Sequence, residues 1–181
     1  MIYTNVPYCP KELGKDLGKS YNMFMERLQD DDWACFLDHD AMFTTKNWYH
    51  QLEDIIEKFP DIGLFSCLTN RIANPIQKPL GIDQHNHDIQ YHRNIGKTLQ
   101  SQHYDTVHVE DKLHGWLMSG VIILISKKTW KRVGGFKSGF LGVDNDMHEK
   151  CIDNNIKIGI MNGVYVYHWY RGDGDMSHLG K

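Results

Sequence analysis

Apolar positions along this chain fall into two patterns, short unbroken runs and runs spaced three and four apart. Ile2 to Val6 reads as a short first strand ended by Pro7. Tyr21, Phe24, Met25 and Leu28 recur at helical spacing behind Ser20, a good capping residue, so a helix is expected from Ser20 to about Gln29. Trp33-Ala34-Cys35-Phe36-Leu37 is apolar without interruption, the pattern of a strand covered on both faces. Trp48, Leu52, Ile55, Ile56 and Phe59 mark a second amphipathic helix that starts near Asn47 and is stopped by Pro60. Gly63 to Cys67 and Val121 to Ser126 predict further strands. Lys127 to Val133 predicts a short helix closed by Gly134-Gly135, and a longer helix is expected from Asp144 to Asn154-Asn155. Ile156 to Met161 and Val164 to His168 read as two strands joined by an Asn162-Gly163 turn. Strand and helix alternate, which predicts an α/β layered fold.

Residues 71–114 break this rhythm. They are polar, histidine-rich and weakly periodic, and read as a long excursion holding small elements inside one domain. The Gly/Asp-rich stretch 171–181 reads as a mobile tail. At 181 residues and 41% hydrophobic content, the chain suits one globular domain with a real core. A net charge of -3 gives no basic field, so nucleic acid is not the expected partner. No apolar run approaches the roughly 20 residues of a membrane span, and Met1-Ile2-Tyr3-Thr4-Asn5 does not resemble a secretion signal. Cys9, Cys35, Cys67 and Cys151 are far apart, as expected of reduced thiols in a cytoplasmic protein. Exposed aromatics such as Trp169 and Tyr170 raise an expectation of self-association into a homo-oligomer.

Candidate chemistry begins where the third predicted element ends. Asp38 and Asp40 lie two apart beyond the apolar run, so both carboxylates can face one spot at a strand's carboxyl end. Such a pair repels unless a cation sits between the two, and oxygen ligands suit Mg²⁺ or Mn²⁺. A plain polar turn would use the same residues. Asp144 and Asp146 enter a helix. There Asp144 can serve as an N-cap and Asp146 can favour the helix dipole. The preceding Gly139-Phe140-Leu141-Gly142 gives a flexible approach to that point. His168 ends the final predicted strand and shares a face with Val164 and Val166, as an ordinary strand-end residue or as a metal ligand.

Four stretches taken in order resemble the family 2-like glycosyltransferases of the GT-A fold. They are Leu17-Gly18-Lys19-Ser20-Tyr21-Asn22, Trp33 through Asp38-His39-Asp40, Ser119-Gly120-Val121 with Val133-Gly134-Gly135-Phe136, and Val143-Asp144-Asn145-Asp146 with Val166-Tyr167-His168. The first resembles the family's Gly-x-x-x-Asn segment, the second its strand ending in a DxD motif, the third its central strand and Gly-Gly-Phe turn. The fourth resembles its acidic acceptor-side helix and terminal histidine. Two departures stand out: the extra strand and helix that a typical member has between the first strand and the Gly-x-x-x-Asn segment are missing, Val6 and Leu17 being almost adjacent, and Val143 stands where the family often has Glu.

The resemblance implies a minimal GT-A (Rossmann-like) mixed sheet flanked by helices. It also implies transfer of a sugar from a nucleoside-diphosphate sugar, a UDP- or GDP-sugar, to a hydroxyl acceptor such as a glycan. It assigns the Mn²⁺ or Mg²⁺ ion to Asp38, Asp40 and His168, with Asp38 on the metal or the ribose. Asn5, Pro7, Lys19, Asn22, His39 and Arg171 would face the nucleotide, although Lys19 reads equally as a surface lysine. Asp144 would be the base that takes the acceptor proton. Trp116, Gly120 and Asp146 would line the acceptor side, with Trp116 as a sugar platform or a core residue. Two other readings stay open. A nucleotidyltransferase would use the same acids for Mg²⁺, and a trimmed, non-catalytic sugar- or nucleotide-binding module would keep the site without the chemistry.

Overall fold

A computed structural model describes residues 1–9, 14–112 and 116–169. The stretch 171–181, expected as a tail, lies outside the described residues, and Arg171 with it. Among these residues, thirteen elements follow one another: β1 (Ile2–Asn5), α1 (Leu17–Met25), β2 (Trp33–Leu37), β3 (Ala41–Phe43), α2 (Trp48–Lys58), β4 (Ile62–Thr69), a 3-10 turn at Pro75–Gln77, α3 (Ile89–His103), β5 (Val107–Glu110), β6 (Ile122–Ser126), α4 (Lys127–Arg132), α5 (Val143–Asp153) and β7 (Lys157–His168). The class is α/β. One mixed seven-stranded sheet runs β1-β2-β6-β4-β7-β3, and β5 also pairs with β7. β1 and β2 are parallel, as are β4 and β7, and β6 runs antiparallel between β2 and β4.

Alternation along the strands sorts two apolar layers. Ala34, Phe36, Ile123 and Ile125 pack against Tyr21 and Met25 of α1 and Val143, Met147 and Cys151 of α5. Cys35, Phe65, Ile122 and Leu124 face the other way and meet Leu52 and Ile55 of α2. Every residue of β6 is buried, which accounts for its unbroken apolar sequence. Among the described residues, no helix is long and apolar enough to cross a membrane.

Several expectations need correction. The first helix begins at Leu17, not Ser20: Asp16 is its cap, and its carboxylate accepts from the Lys19 N–H at 2.7 Å. β3 was not expected, and its three residues pair with the end of β7. The excursion is not a run of small elements, since it contains the 15-residue α3 and the strand β5. The two C-terminal strands with an Asn162-Gly163 turn are one strand. β7 keeps its direction along β4, with Cys67 opposite Met161 and Leu68 opposite Tyr165, so residues 162–164 bulge from the ladder. Packing outweighs the local turn signal there. The Asn162 N–H bonds the Thr106 carbonyl, and the Gln51 amide donates to the Gly163 carbonyl at 3.0 Å. A Cβ on Gly163 would lie 2.3 Å from the His103 carbonyl oxygen, so the end of α3 occupies the place of a side chain.

Candidate active site

β2 delivers the first two acids. Asp38 leaves the strand with its N–H bonded to the Val121 carbonyl at 3.1 Å, and its own carbonyl accepts from Ala41 to close a turn. That turn carries Asp40 next to the end of β7, where the Trp169 N–H bonds the Asp40 carbonyl at 2.9 Å and Ala41 pairs with His168. Residues 130 positions apart in sequence thus meet. Ligand atoms of Asp38, Asp40 and His168 all lie within 4.8 Å of one another. His168 Nε2 is 3.3 Å from Asp40 Oδ1 and 3.9 Å from Asp38 Oδ2.

The imidazole is held from behind. Its Nδ1 lies 3.0 Å from the Arg71 carbonyl oxygen, which can only accept, so Nδ1 carries the proton and Nε2 is left facing the carboxylates. Asn70, fully buried, binds both backbone groups of the same residue: Oδ1 accepts from the His168 N–H at 2.8 Å and Nδ2 donates to its carbonyl at 3.1 Å. A ring fixed through its remote nitrogen is the usual support of a metal-binding histidine. Two carboxylates and one imidazole fit Mn²⁺ better than Mg²⁺, which prefers oxygen ligands and retained water.

A cavity of about 520 Å³ opens over this cluster. Asp144, in the first turn of α5, also lines it. Asp144 is not the N-cap, a position taken by Gly142 in a left-handed conformation (φ 67°). Its Oδ2 instead accepts the Gly120 N–H at 2.8 Å. Three consecutive N–H groups are held by side chains in this way: Met118 by His148 Nδ1, Ser119 by Gln77 Oε1 and Gly120 by Asp144, each at 2.8 Å. Asp144 and His148 sit four apart on one face of α5, so that helix fixes the strand entrance and the acid together.

The cavity gathers Asp38, Asp40, His168, Asp144, Gly120, His39 and Pro7. It does not gather the rest of the expected set. Asn22 serves the fold: its Nδ2 donates to the Phe136 carbonyl, and its Oδ1 accepts from Trp130 Nε1 and the Phe136 N–H, locking the Gly134-Gly135-Phe136 turn to α1. Lys19 is an exposed helix residue, Asn5 a half-buried one on β1, and neither lines the cavity. Trp116 is half exposed and is neither a core residue nor a cavity wall. Asp146 pairs with Lys150 one turn along α5, at 2.9 Å. Gly120 does line the cavity, but the space beside it is taken by Asp144 rather than left open for a ligand.

Sequence reasoning missed Tyr21, Phe140 and Leu141 as cavity residues and Asn70 as the support of His168. The two exposed apolar residues between Gly139 and Gly142 were a usable signal for Phe140 and Leu141. Nothing in the local sequence marks Asn70, whose partner is 98 residues away.

No protein-family model matches the chain, and no curated protein matches it significantly.

Proposed function

We propose that the protein is a metal-dependent glycosyltransferase of GT-A type that transfers a sugar from a nucleoside-diphosphate sugar to a hydroxyl acceptor. One observation carries this reading: Asp38, Asp40 and His168 converge in a cavity that Asp144 also lines. The mixed sheet, with one antiparallel strand between β2 and β4 and the acids at the carboxyl end of β2, supports the same fold type.

Asp38, Asp40 and His168 would hold Mn²⁺, which would supply Lewis-acid stabilisation to a diphosphate leaving group. The chain's own residues do the remainder. Asp144 has Oδ2 bonded to the Gly120 N–H and Oδ1 left to accept a proton. The acceptor oxygen forms its bond to the anomeric carbon, the anomeric carbon–phosphate oxygen bond breaks, the acceptor proton passes to Asp144, and the nucleoside diphosphate leaves. Gly120 fixes the carboxylate during this step, and the apolar Phe140 and Leu141 at the cavity wall limit water near the reacting carbon.

Asp40→Ala tests the reading. The variant should lose Mn²⁺-dependent release of UDP or GDP from nucleotide sugars by at least about a thousandfold, with its metal-free melting temperature unchanged. Wild-type turnover in that variant removes the metal argument. Pyrophosphate exchange without sugar transfer would instead favour a nucleotidyltransferase.

A further inference from the structure

Tyr21 projects from α1 into the cavity wall and is 2% exposed. Its ring packs on Phe36 (centroids 4.3 Å apart) and on Phe136 (4.8 Å). Phe36 lies two residues before Asp38 on the line of β2, so a ring stacked there ends close to the carboxylate beyond the strand. Asp144 reaches the same region from α5. Both acids act on the phenol: burial first, then the negative charges of Asp38 and Asp144, hold its ionisation well above the ordinary tyrosine range. Tyr21 is therefore a neutral O–H donor at working pH. That hydroxyl makes no hydrogen bond to any described residue. The residue lines the open cavity, where a bound molecule can reach it.

The groups on either side decide what it can bind. Asp144, not a ligand of the cation on this reading, disfavours an anion beside the phenol and favours a neutral hydroxyl. On the glycosyltransferase reading, on which this inference rests, the diphosphate lies at the Asp38–Asp40–His168 side and the acceptor hydroxyl at Asp144. Between them lies the group being transferred. We infer that the Tyr21 hydroxyl donates a hydrogen bond to a ring hydroxyl of the transferred hexosyl unit and selects sugars that carry one at that position. Tyr21 would touch substrate directly, yet the sequence presents it only as one apolar position of a helix.

Calorimetric binding with Mn²⁺ present tests this, comparing UDP and GDP with UDP-glucose, UDP-galactose, UDP-N-acetylglucosamine and GDP-mannose. Wild type should bind one nucleotide sugar tighter than its bare diphosphate. Tyr21→Phe, which keeps the ring packing, should bind the bare diphosphate normally and lose about tenfold or more of the extra affinity due to the sugar. Monodeoxy analogues of that sugar give an independent check on wild type alone: one analogue should be weaker by a similar factor, and Y21F should not distinguish it from the parent. The inference is overturned if Y21F retains the whole sugar increment, or if wild type binds every monodeoxy analogue as it binds the parent. In both cases the glycosyltransferase reading survives. Should wild type bind neither UDP nor GDP with Mn²⁺, that reading fails and the role of Tyr21 falls with it.

Discussion

A Cβ at position 120 would lie 2.8 Å from Asp144 Cβ and 3.2 Å from Asp144 Oδ2. Gly120→Ala must therefore push the acid off the N–H that holds it. The expected result is a loss of about 1–3 kcal/mol in stability, read from urea unfolding, and a larger proportional loss of transfer activity. On the proposed reaction, a G120A variant with full activity would show that Asp144 need not be held in place. Asn22 makes a different kind of contribution. Replacing it with Ala strands the Trp130 indole N–H and the Phe136 N–H together. A cost of about 2–4 kcal/mol is expected, with any remaining folded protein keeping whatever affinity the wild type has for UDP or GDP. Loss of nucleotide affinity without loss of stability would instead restore Asn22 to the nucleotide side. These two residues show what single letters reveal. The convergence of Asp38 and Asp40 was legible because residues two apart at a strand end face one side, whereas what they hold was not, since a polar turn uses the same residues. Asn22 was misread because a motif position does not say whether its amide meets a ligand or a turn. Tyr21 was overlooked because a ring at helical spacing looks the same whether its hydroxyl is in the core or at a cavity.

At the scale of elements, α5 was placed correctly within a residue or two and α3 was not foreseen. The reason is visible in what each buries. α5 turns Val143, Met147 and Cys151 inward, a regular apolar stripe. The fully buried positions of α3 are His92 and Gly96, so it lacks the stripe that marks a helix in sequence. β7 was split because Asn162-Gly163 is a strong local turn signal, and only the ladder with β4 shows that it is a bulge. The histidines buried on these helices make a pH prediction. His148 on α5 accepts the Met118 N–H, and burial lowers its pKa against the opposing pull of Glu110 and Glu149. His92 on α3 is bonded to Tyr165 and the Asn86 carbonyl, and burial, with some help from His87, lowers its pKa against Asp88 and Asp83. The folded state thus resists protons that the unfolded chain takes up near pH 6.5. Stability should be full above about pH 6.5 and fall as the pH drops from there through the lowered folded-state values, by up to about 1.4 kcal/mol per pH unit for each imidazole. Urea midpoints measured between pH 8 and pH 5.5 check this, and a flat profile would contradict it.

For the whole molecule, the sheet order places the cluster at one end of β2 and β7 and α5 beside it, so binding there is linked to folding of the entire domain. Mn²⁺ together with UDP or GDP at about 100 times its dissociation constant should stabilise the fold by about 2.7 kcal/mol. For a chain of this size that amounts to a rise of about 5–10 °C in melting temperature. EDTA should reverse the rise, and Asp40→Ala should abolish it. A shift equal in wild type and D40A would mean the ion binds elsewhere.

The position of β7 has a consequence for how the chain acquires its structure. Among the described strands it comes last in the sequence, yet it completes the ladders of β3, β4 and β5 and brings in His168. During synthesis, β3 and β5 must wait without partners until it emerges, and sheet closure depends on pairings of long sequence separation. Asp38, Asp40 and His168 accordingly come together only after β7 has paired, and a nascent chain that has not yet released residues 157–168 has no assembled cluster.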